Sequence, residues 1–572
     1  MDPADFTPLL ERGKVLHRQG RLGEAMSLYQ QVLATDPENA DAFHLLGVIA
    51  NQRGEYGKAA ALIGEAVKRS PTAEHFHNNL GLALMGLADW VGAHAAFIAE
   101  LSLYPSNSAG HANLGALFQK KGQTTEAIYH FRAALAQQPA DITILNNLGF
   151  AYVTLRAFDS AWEVAQQSLQ VEENPDAFNV LGLASRHQGK AKEALGYFTR
   201  ALKLKPDAAE VYLNMGVAYR DLVEYDRALA AYDRALQLKP DYAEAHLSRA
   251  LILLARAEFK KGWQEYEYGL LCGERSPCSH NYPVWRGEAL QSKTILVCAE
   301  QGLGDEIMFA SILSEIIEQA RHCVLECDAK LVKLYARSFP HVTLIPRRKA
   351  AEVDSMQRLP PIDFQSPIGS LPQYRRRRLE DFPRHKGYLN ADPDRVAYWK
   401  AKLDQLGPGL KVGIGWRGGT PKTDLERRSI PLVDWLPILE REDILFVSLQ
   451  YTDCREELEE LKREYGIVVR HWREAIDDYD ETAALVCALD LVLTVQTAVF
   501  HLSGALGRPV WGLLRTPAEW RYMAEGHSVP WYPSARLFRQ RAPGNWAEVM
   551  RLVAADLSEF AKAMRGKING VV

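Results

Sequence analysis

The chain has 572 residues, of which 47% are hydrophobic and 24% are charged, and its formal net charge is -4. This length allows about two to four domains, and the slightly acidic balance excludes the basic surface that general nucleic-acid binding needs. The sequence has no uncharged apolar run of roughly 18 residues and no basic N-terminal leader, so it predicts a cytoplasmic protein without membrane insertion.

The cysteines give a second expectation. They number seven, an odd count, and include no CxxC pair. This usage fits reduced thiols better than a disulfide framework or a zinc site, and no bound metal is expected. Cys323 and Cys327 fall on or beside a predicted strand and are expected to pack in the core.

The first half of the chain repeats with a period of 34 residues, apart from one step of 33. In each repeat an alanine follows a glycine after twelve residues, and an aromatic residue usually follows four further on. The glycines are Gly13, Gly47, Gly81, Gly115, Gly149, Gly182 and Gly216. The pattern predicts seven tetratricopeptide repeats over residues 1–270, stacked into an α superhelix with a concave groove. A degenerate eighth unit ending in KGWQEYEYGL is predicted to cap the repeats and dock onto the next domain.

Four asparagines stand two positions before a repeat glycine: Asn79, Asn113, Asn147 and Asn214. They share one face of the first helices, where their amides could bind the backbone of an extended protein acceptor. The alternative is that asparagine is simply common at this consensus position. The series is broken at Val180, beside the shorter repeat.

The second half alternates buried strand patterns with helices. Residues 271–293 are predicted to form an ordered junction anchored by Tyr282 and Trp285, and two doubly wound α/β domains follow, residues 294–392 and 393–572. The segment IDFQSPIGSLP is predicted to be turn-rich. The predicted strands cover residues 294–299, 322–326, 342–345, 411–416, 445–449, 467–470, 491–495 and 510–514.

Residues 490–514, DLVLTVQTAVFHLSGALGRPVWGLL, predict a strand, a turn, a helix and a second strand. In an open α/β sheet, ligands bind at the carboxyl ends of the strands, where a following helix points its free N–H groups outward. The stretch therefore predicts a nucleotide-phosphate site from Gln496 to His501. An earlier turn in EQGLGDEIMFA has Gly302 and Gly304 but lacks the GxGxxG fingerprint of a dinucleotide site.

Several motifs of the second half point to a known family. The chain joins its repeats to PVWRGEAL, AEQGLGDEIMFA, RRSIPL, DETAALVCALDLVLTVQTAVFHLSGALGRPVW and WYPSARLFRQ. In this it resembles the bacterial TPR-containing glycosyltransferases, whose catalytic half is similar to the ADP-heptose:lipopolysaccharide heptosyltransferases and some of which modify flagellin. The resemblance implies a GT-B fold of two Rossmann-like domains. The architecture also resembles O-GlcNAc transferase, without a motif-level match.

The resemblance implies a catalytic base at Asp305, the aspartate of the GD turn, with Glu306 as the second candidate. A carboxylate there would accept the proton of an acceptor hydroxyl; the alternative is that Asp305 only caps its helix. A cationic loop follows the predicted strand 411–416 and contains Arg417, Lys422, Arg427 and Arg428. It would stabilise the leaving phosphate; the alternative is that these are surface charges. The donor-site candidates are Gly302, Gly304, Trp416, Arg417, Arg427, Arg428, Gln450, Gln496, Thr497, Ala498 and His501.

Gln496 is a departure from the family pattern, which is usually VDTAVAHLAG and has an aspartate at this position. Glutamine keeps the hydrogen bonding but removes a negative charge near the sugar. The change suits a different donor, such as an anionic sugar, or marks reduced activity. Thr497 and His501 of the pattern are retained.

Other features are assigned to structure. Asp478-Tyr479-Asp480 formally matches the DxD metal motif but precedes a predicted helix, which indicates capping. The run Arg375 to Arg378 is predicted to be a solvated loop, with binding of an acidic acceptor as the alternative. The aromatic residues Trp531, Tyr532 and Trp546 are predicted to pack in the core or between domains.

These features together predict an inverting, metal-independent protein O-glycosyltransferase. A nucleotide sugar is the expected co-substrate, with no further cofactor. The repeats would hold a protein acceptor, and flagellin is the leading candidate. Two alternatives stay open: a scaffold whose transferase half has decayed, and a heptosyltransferase-like enzyme that acts on a glycan.

Overall fold

The computed structural model of the protein describes residues 6–300, 302–347, 359–419 and 425–569. The chain divides into two compact units, residues 1–218 and 219–572. Within the described ranges, no helix combines the length and the apolar character that crossing a membrane would require.

The first unit is built from helix pairs. Several first helices of a pair begin at an Asn or Asp whose side chain accepts the backbone N–H three residues on, as at Asn39 and Asn107. This N-cap satisfies a donor that a helix end leaves free. The helices that begin in this unit are α1 (Thr7–Arg18), α2 (Leu22–Thr35), α3 (Ala40–Gln52), α4 (Tyr56–Arg69), α5 (Phe76–Gly86), α6 (Trp90–Leu103), α7 (Ser108–Lys120), α8 (Thr124–Gln137), α9 (Ile142–Thr154), α10 (Phe158–Val171), α11 (Pro175–His187), α12 (Ala191–Leu204) and α13 (Ala209–Asp221).

Close contact within each pair explains the repeat pattern. A Cβ built on Gly182 of α11 would lie 2.3 Å from Cε1 of Phe198 on α12. The ring therefore needs a residue without a side chain opposite it. The alanines twelve residues after each repeat glycine are all fully buried: Ala25, Ala59, Ala93, Ala127, Ala161, Ala194 and Ala228. The predicted tetratricopeptide architecture is confirmed.

Gly182→Ala is expected to lower the free energy of unfolding by about 1–3 kcal/mol, because overpacking a filled core costs this much. Gly196→Ala on α12 is the matched control, since nothing lies within 4 Å of a Cβ built there. Alanine at this exposed helical position should stabilise the protein by about 0.5–1 kcal/mol. Urea unfolding followed by circular dichroism measures both variants, and equal effects would contradict the glycine–ring explanation.

The second unit begins with the last helices of the repeat array. These are α14 (Tyr225–Leu238), α15 (Ala243–Ala255) and α16 (Phe259–Tyr266). On α16, Trp263 packs edge-on against Phe309, Trp520 and Trp531, and its indole N–H donates to the carbonyl oxygen of Arg376 (2.7 Å). The predicted docking of the capping unit onto the α/β half is confirmed.

Four parallel strands form the first sheet, in the order β3-β2-β1-β4. They are β1 (Thr294–Cys298), β2 (His322–Cys327), β3 (Thr343–Pro346) and β4 (Phe364–Pro367). The helices around them are α17 (Leu303–Phe309), α18 (Leu313–Gln319), α19 (Val332–Ser338) and α20 (Pro372–Arg375). β4 lies in the segment predicted to be turn-rich, and that prediction is wrong in part, because a strand precedes the 3₁₀ turn at Ile368–Ser370. The strand has only four residues and includes the buried, polar Gln365, whose Nε2 donates to the carbonyl oxygens of His280 and Tyr282. The sequence therefore shows no apolar run here.

Five parallel strands form the second sheet, in the order β6-β5-β7-β8-β9. They are β5 (Leu410–Gly415), β6 (Ile444–Ser448), β7 (Leu491–Val495), β8 (Val510–Leu514) and β9 (Ala535–Arg539). The helices of this part are α21 (Pro393–Asp404), α22 (Leu436–Leu439), α23 (Arg455–Tyr465), α24 (Arg473–Asp477), α25 (Tyr479–Ala488), α26 (Ala498–Ala505) and α27 (Ala547–Asn569).

Two segments of the second sheet differ from the sequence pattern. Residues 467–470, predicted as a strand, contribute a single bridge between Arg470 and Val447. β9 was not predicted, because ARLFR contains two arginines and lacks the continuous apolar run of the other strands in this sheet. It extends the sheet beside β8.

The junction contains a disulfide bond between Cys278 and Cys298. The expectation of reduced thiols throughout is therefore wrong. The junction runs beside β4, where Val284 bridges to Gln365, and this path brings Cys278 to the end of β1. Cys323 and Cys327 are buried in the core, as predicted.

Three further predictions about structural residues can be settled. Asp478 caps α25 by accepting the backbone N–H of Asp480 (2.9 Å), as predicted. Trp531, Tyr532 and Trp546 are buried, also as predicted. The solvated loop predicted for the arginine run is wrong in part, because Arg376 is buried and pairs with Glu315 at 2.5 Å.

Candidate functional site

The candidate site lies where the strand-end turns of the two sheets meet. In the first sheet, β1 has β2 on one side and the later strand β4 on the other. In the second sheet, β5 likewise has β6 on one side and β7 on the other. Ligands of open α/β sheets bind at such switch points, beyond the carboxyl ends of the strands. A Cβ built on Gly304, after β1, would lie 3.0 Å from Cδ2 of His501 and 3.4 Å from Cα of Ala498, after β7. The two turns are thus in contact.

Asp305 stands in the first turn of α17, and its carboxylate forms an ion pair with Arg521 at 2.5 Å. The helix is capped by the exposed Gly302, which has no side chain to offer. Glu306 points elsewhere: it is buried and accepts the backbone N–H of Asp328 (2.9 Å). Burial raises the pKa of Glu306 to about 7. Of the two candidate bases, Asp305 is the one beside the second sheet.

Arg428 lies in the loop after β5 and contacts the turn after β7. Its Nη2 donates to the carbonyl oxygen of Gln496 (2.8 Å), and its Nη1 lies 3.2 Å from a carboxylate oxygen of Glu519. The backbone N–H of Ile430 donates to the carbonyl oxygen of Trp416 (2.9 Å), and this bond holds the end of the loop beside the end of β5. Arg428 is therefore held over the switch point of the second sheet.

Gln496 has a buried side-chain amide that lacks partners. The residue is 1% exposed, and neither Oε1 nor Nε2 has a hydrogen-bond partner among the described residues. Leaving such a group unsatisfied costs about 1–3 kcal/mol. An unsatisfied amide at a strand's carboxyl end is what a site for a hydrogen-bonding ligand would contain.

A substitution tests whether this amide serves a ligand. Gln496→Leu removes an unsatisfied polar group at similar volume, so we expect it to raise the free energy of unfolding by about 1–2 kcal/mol while weakening the binding of any ligand that hydrogen-bonds to this amide. Gln450→Leu is the matched control: Gln450 is buried too, but its amide bonds the backbone of Arg417 and the hydroxyl of Thr452. The control should lose stability. Calorimetry gives both values, and a destabilised Gln496→Leu protein would refute the ligand interpretation.

Thr497 and His501 are placed within the protein interior. Oγ1 of Thr497 is 3.0 Å from Oγ1 of Thr494. His501 Nδ1 lies 3.0 Å from the hydroxyl of Tyr532, and Nε2 lies 3.3 Å from that of Tyr522. Burial, with the charges of nearby arginines, holds the pKa of His501 well below its usual value. Two tyrosine hydroxyls thus hold the imidazole inside the protein, and its Cδ2 edge faces Gly304 together with the backbone at Ala498.

The remaining donor-site candidates lie at the ends of β5 and β6. Trp416 is buried, and its indole N–H lies 3.3 Å from Glu457. Arg417 pairs with Glu457 (3.1 Å), and its backbone N–H donates to Gln450 (3.0 Å). Trp416, Arg417 and Gln450 thus connect the ends of adjacent strands, and each already has a hydrogen-bond or ion-pair partner. Arg427 is exposed, and Lys422 lies outside the described residues.

The four asparagines of the repeats are half-buried on their helices. Nδ2 of Asn113 donates to Oδ1 of Asn78 (2.9 Å), and Nδ2 of Asn214 donates to Oδ1 of Asn179 (2.9 Å). Nδ2 of Asn79 lies 2.8 Å from a ring nitrogen of His44. Each of these amides thus joins its helix to the first helix of the preceding repeat, which is a structural use of the consensus position. Asn147 occupies the equivalent position on α9.

Two charged residues of the site were missed by the sequence analysis. Glu519 pairs with both Arg428 and Arg521, and Arg521 in turn pairs with Asp305. Burial would raise the pKa of Glu519, but the charges of Arg521, Arg428 and Arg515 outweigh burial and keep that pKa below its usual value. The charged segment RTPAEWRY, which directly follows β8 at the same sheet edge, could have indicated both residues from the sequence.

The repeat helices and the strand-end site define a tetratricopeptide repeat protein with an appended pair of parallel α/β sheets. Family models described as "Tetratricopeptide repeat" match residues 10–74, 147–209 and 209–242, and one described as "TPR repeat" matches residues 115–155. The chain is 33% identical over 557 residues to "Protein FlbA" of Caulobacter vibrioides, with 92% of each chain covered. It belongs to the family of that protein.

Other similarities cover parts of the chain. It is 31% identical over 140 residues to "Type IV pilus assembly protein PilF" of Pseudomonas aeruginosa, covering 24% of this chain and 55% of that protein. Among solved structures, the APC/C hetero-tetramer Cut9-Hcn1 has a TM-score of 0.38 at 22% identity, covering 46% of this chain and 53% of that one.

Proposed function

We propose that the protein is an inverting, metal-independent glycosyltransferase of the GT-B fold. It would transfer a sugar from a nucleotide sugar to a serine or threonine hydroxyl of a protein acceptor, with flagellin as the leading acceptor. The observation that carries the proposal is the unsatisfied amide of Gln496, which lies beside Arg428 in a turn that contacts the turn of Asp305.

The proposed reaction uses the negative charge of Asp305 on one side of the site and the positive charge of Arg428 on the other. Asp305 accepts the proton of the acceptor hydroxyl, whose oxygen attacks the anomeric carbon from the face opposite the leaving group. The bond from that carbon to the phosphate oxygen breaks, and the phosphate leaves with the electron pair. Arg428 and the N–H groups at the start of α26 then stabilise the negative charge, because fixed dipoles and cations lower the barrier most where charge develops. The described residues include no group of three or more potential metal ligands.

Intact-mass spectrometry of proteins from cells with and without this chain tests the proposal. Flagellin, or another abundant protein, is expected to lose a fixed sugar mass when the gene is deleted. The wild-type gene should restore that mass. If the masses of abundant proteins, flagellin included, do not change when the gene is deleted, the proposed sugar transfer is wrong.

A non-catalytic scaffold is the second candidate. It is favoured by the ion pair that engages Asp305 and by glutamine at position 496. A thermal-shift panel of nucleotide sugars separates the two: a rise in the unfolding midpoint with one donor supports the enzyme, and no response to any donor supports the scaffold. The same panel with ADP-heptose addresses a heptosyltransferase-like enzyme that acts on a glycan.

A further inference from the structure

Glu519 is surrounded by positive charge at the candidate site. Its carboxylate pairs with Arg428 at 3.2 Å and more closely with Arg521, and Arg515 of the same loop also acts on it electrostatically. The side chains of these paired residues keep 15–18% of their surface exposed. The cluster is therefore partly open to solvent.

The cluster lies where an anionic ligand would be held. Arg428 also binds the carbonyl oxygen of Gln496, immediately before α26, whose first N–H groups and dipole favour negative charge. The planar guanidinium group bonds phosphate as readily as carboxylate, because both offer paired oxygen atoms. Arg428 and Arg521 pair with the carboxylates of Glu519 and Asp305, so the cations that would hold a phosphate are at present held by the protein's own anions.

We propose that Glu519 is an internal anion that occupies a phosphate-binding site, and that the phosphate groups of the bound ligand take its place beside Arg428 and Arg521. The identification of the ligand as a nucleotide sugar rests on the proposed function. Glu519 is thus assigned as the carboxylate that occupies the site, and Arg521 as a binding residue outside the set predicted from the sequence.

The exchange would also connect ligand binding to the base. Arg521 contacts both Glu519 and Asp305, and a guanidinium group drawn toward phosphate binds a carboxylate neighbour less strongly. Asp305 then becomes available to a hydroxyl after the phosphate has bound.

Titration calorimetry with inorganic pyrophosphate tests the exchange on the full chain at low ionic strength. Glu519→Gln is expected to bind pyrophosphate at least about tenfold more tightly than wild type, because a carboxylate within hydrogen-bonding distance of the arginines no longer competes. Arg521→Gln should bind it at least about tenfold more weakly. Glu548→Gln is the control: Glu548 pairs with Arg541 at 3.2 Å outside the cluster, and the same change in net charge should leave affinity unchanged.

The outcomes separate this inference from the proposed function. Equal or weaker binding by Glu519→Gln, or no binding by either protein, overturns the internal anion, provided circular dichroism shows a folded variant. Glu519→Asp keeps the charge on a shorter side chain and should fall between wild type and Glu519→Gln. Tighter pyrophosphate binding with no change of acceptor mass in cells keeps the anion site and rejects the transferase.

Discussion

Asp305→Asn is expected to lower the rate of sugar transfer by roughly 10²- to 10⁴-fold, which is the contribution of a positioned general base. The amide keeps the shape of the carboxylate but cannot accept the hydroxyl proton. Binding of the nucleotide sugar should be kept, because Arg428 and Gln496 belong to the second sheet, and it should tighten if it changes, because position 305 no longer holds a carboxylate that pairs with Arg521. The measurement is the rate at which purified acceptor gains sugar mass, beside calorimetric donor affinity.

Two further substitutions assign that loss to Asp305. Asp478→Asn removes the charge that pairs with exposed Lys333 but keeps an oxygen that can cap the helix, and it should leave transfer unchanged. Glu306→Gln replaces the buried carboxyl that bonds the backbone of Asp328. A complete loss with Glu306→Gln, together with an active Asp305→Asn protein, would make Glu306 the base and reject the assignment proposed here.

The backbone of the candidate site could largely be predicted from the sequence. The apolar strands before Asp305 and Gln496 are regular, and the rule that ligands bind at strand ends then selects the residues that follow them. Glu519 and Arg521 were missed because they reach the site through an irregular loop, where neither period nor spacing fixes the direction of a side chain. Their positions depend on packing around Trp520, which contacts Trp263 of the repeat cap.

The disulfide and β4 were missed for a related reason. Cysteine counting considers residue spacing, whereas Cys278 meets Cys298 because the junction follows the edge of the first sheet. β4 is short, and its polar Gln365 donates hydrogen bonds to two carbonyl oxygens of the junction. In both cases contacts between segments distant in sequence decided the structure. A local pattern carries no information about such contacts.

The largest effect on stability is expected at Arg275, which connects the repeat cap to the turn that carries Asp305. Its fully buried guanidinium group binds both carboxylate oxygens of Glu300 at 2.9 Å and also pairs with Glu267 (2.8 Å). Glu300 ends the strand region just before the Gly302 turn and accepts the backbone N–H of Gly369 (2.5 Å). The ion pair thus fixes the position of that turn.

Arg275→Met is expected to lower the free energy of unfolding by about 3–5 kcal/mol, because it leaves the Glu300 carboxylate buried without its cation. Burial already raises the pKa of Glu300, while Arg275 opposes the shift. Without Arg275 this pKa should rise further, so the loss of stability should shrink as pH falls and Glu300 takes up a proton. Arg378→Met, which breaks an exposed pair with Asp381, should cost less than about 1 kcal/mol.

Adding Glu300→Gln to Arg275→Met removes the stranded charge and should recover part of the lost stability, as a coupled pair requires. Urea unfolding at several pH values measures all of these variants. Additive effects of the two substitutions would mean that Arg275 and Glu300 do not stabilise the turn as a pair. Because the same turn presents Asp305, the single variant should also lose transfer activity at temperatures where it is still folded, and the double variant should regain part of it.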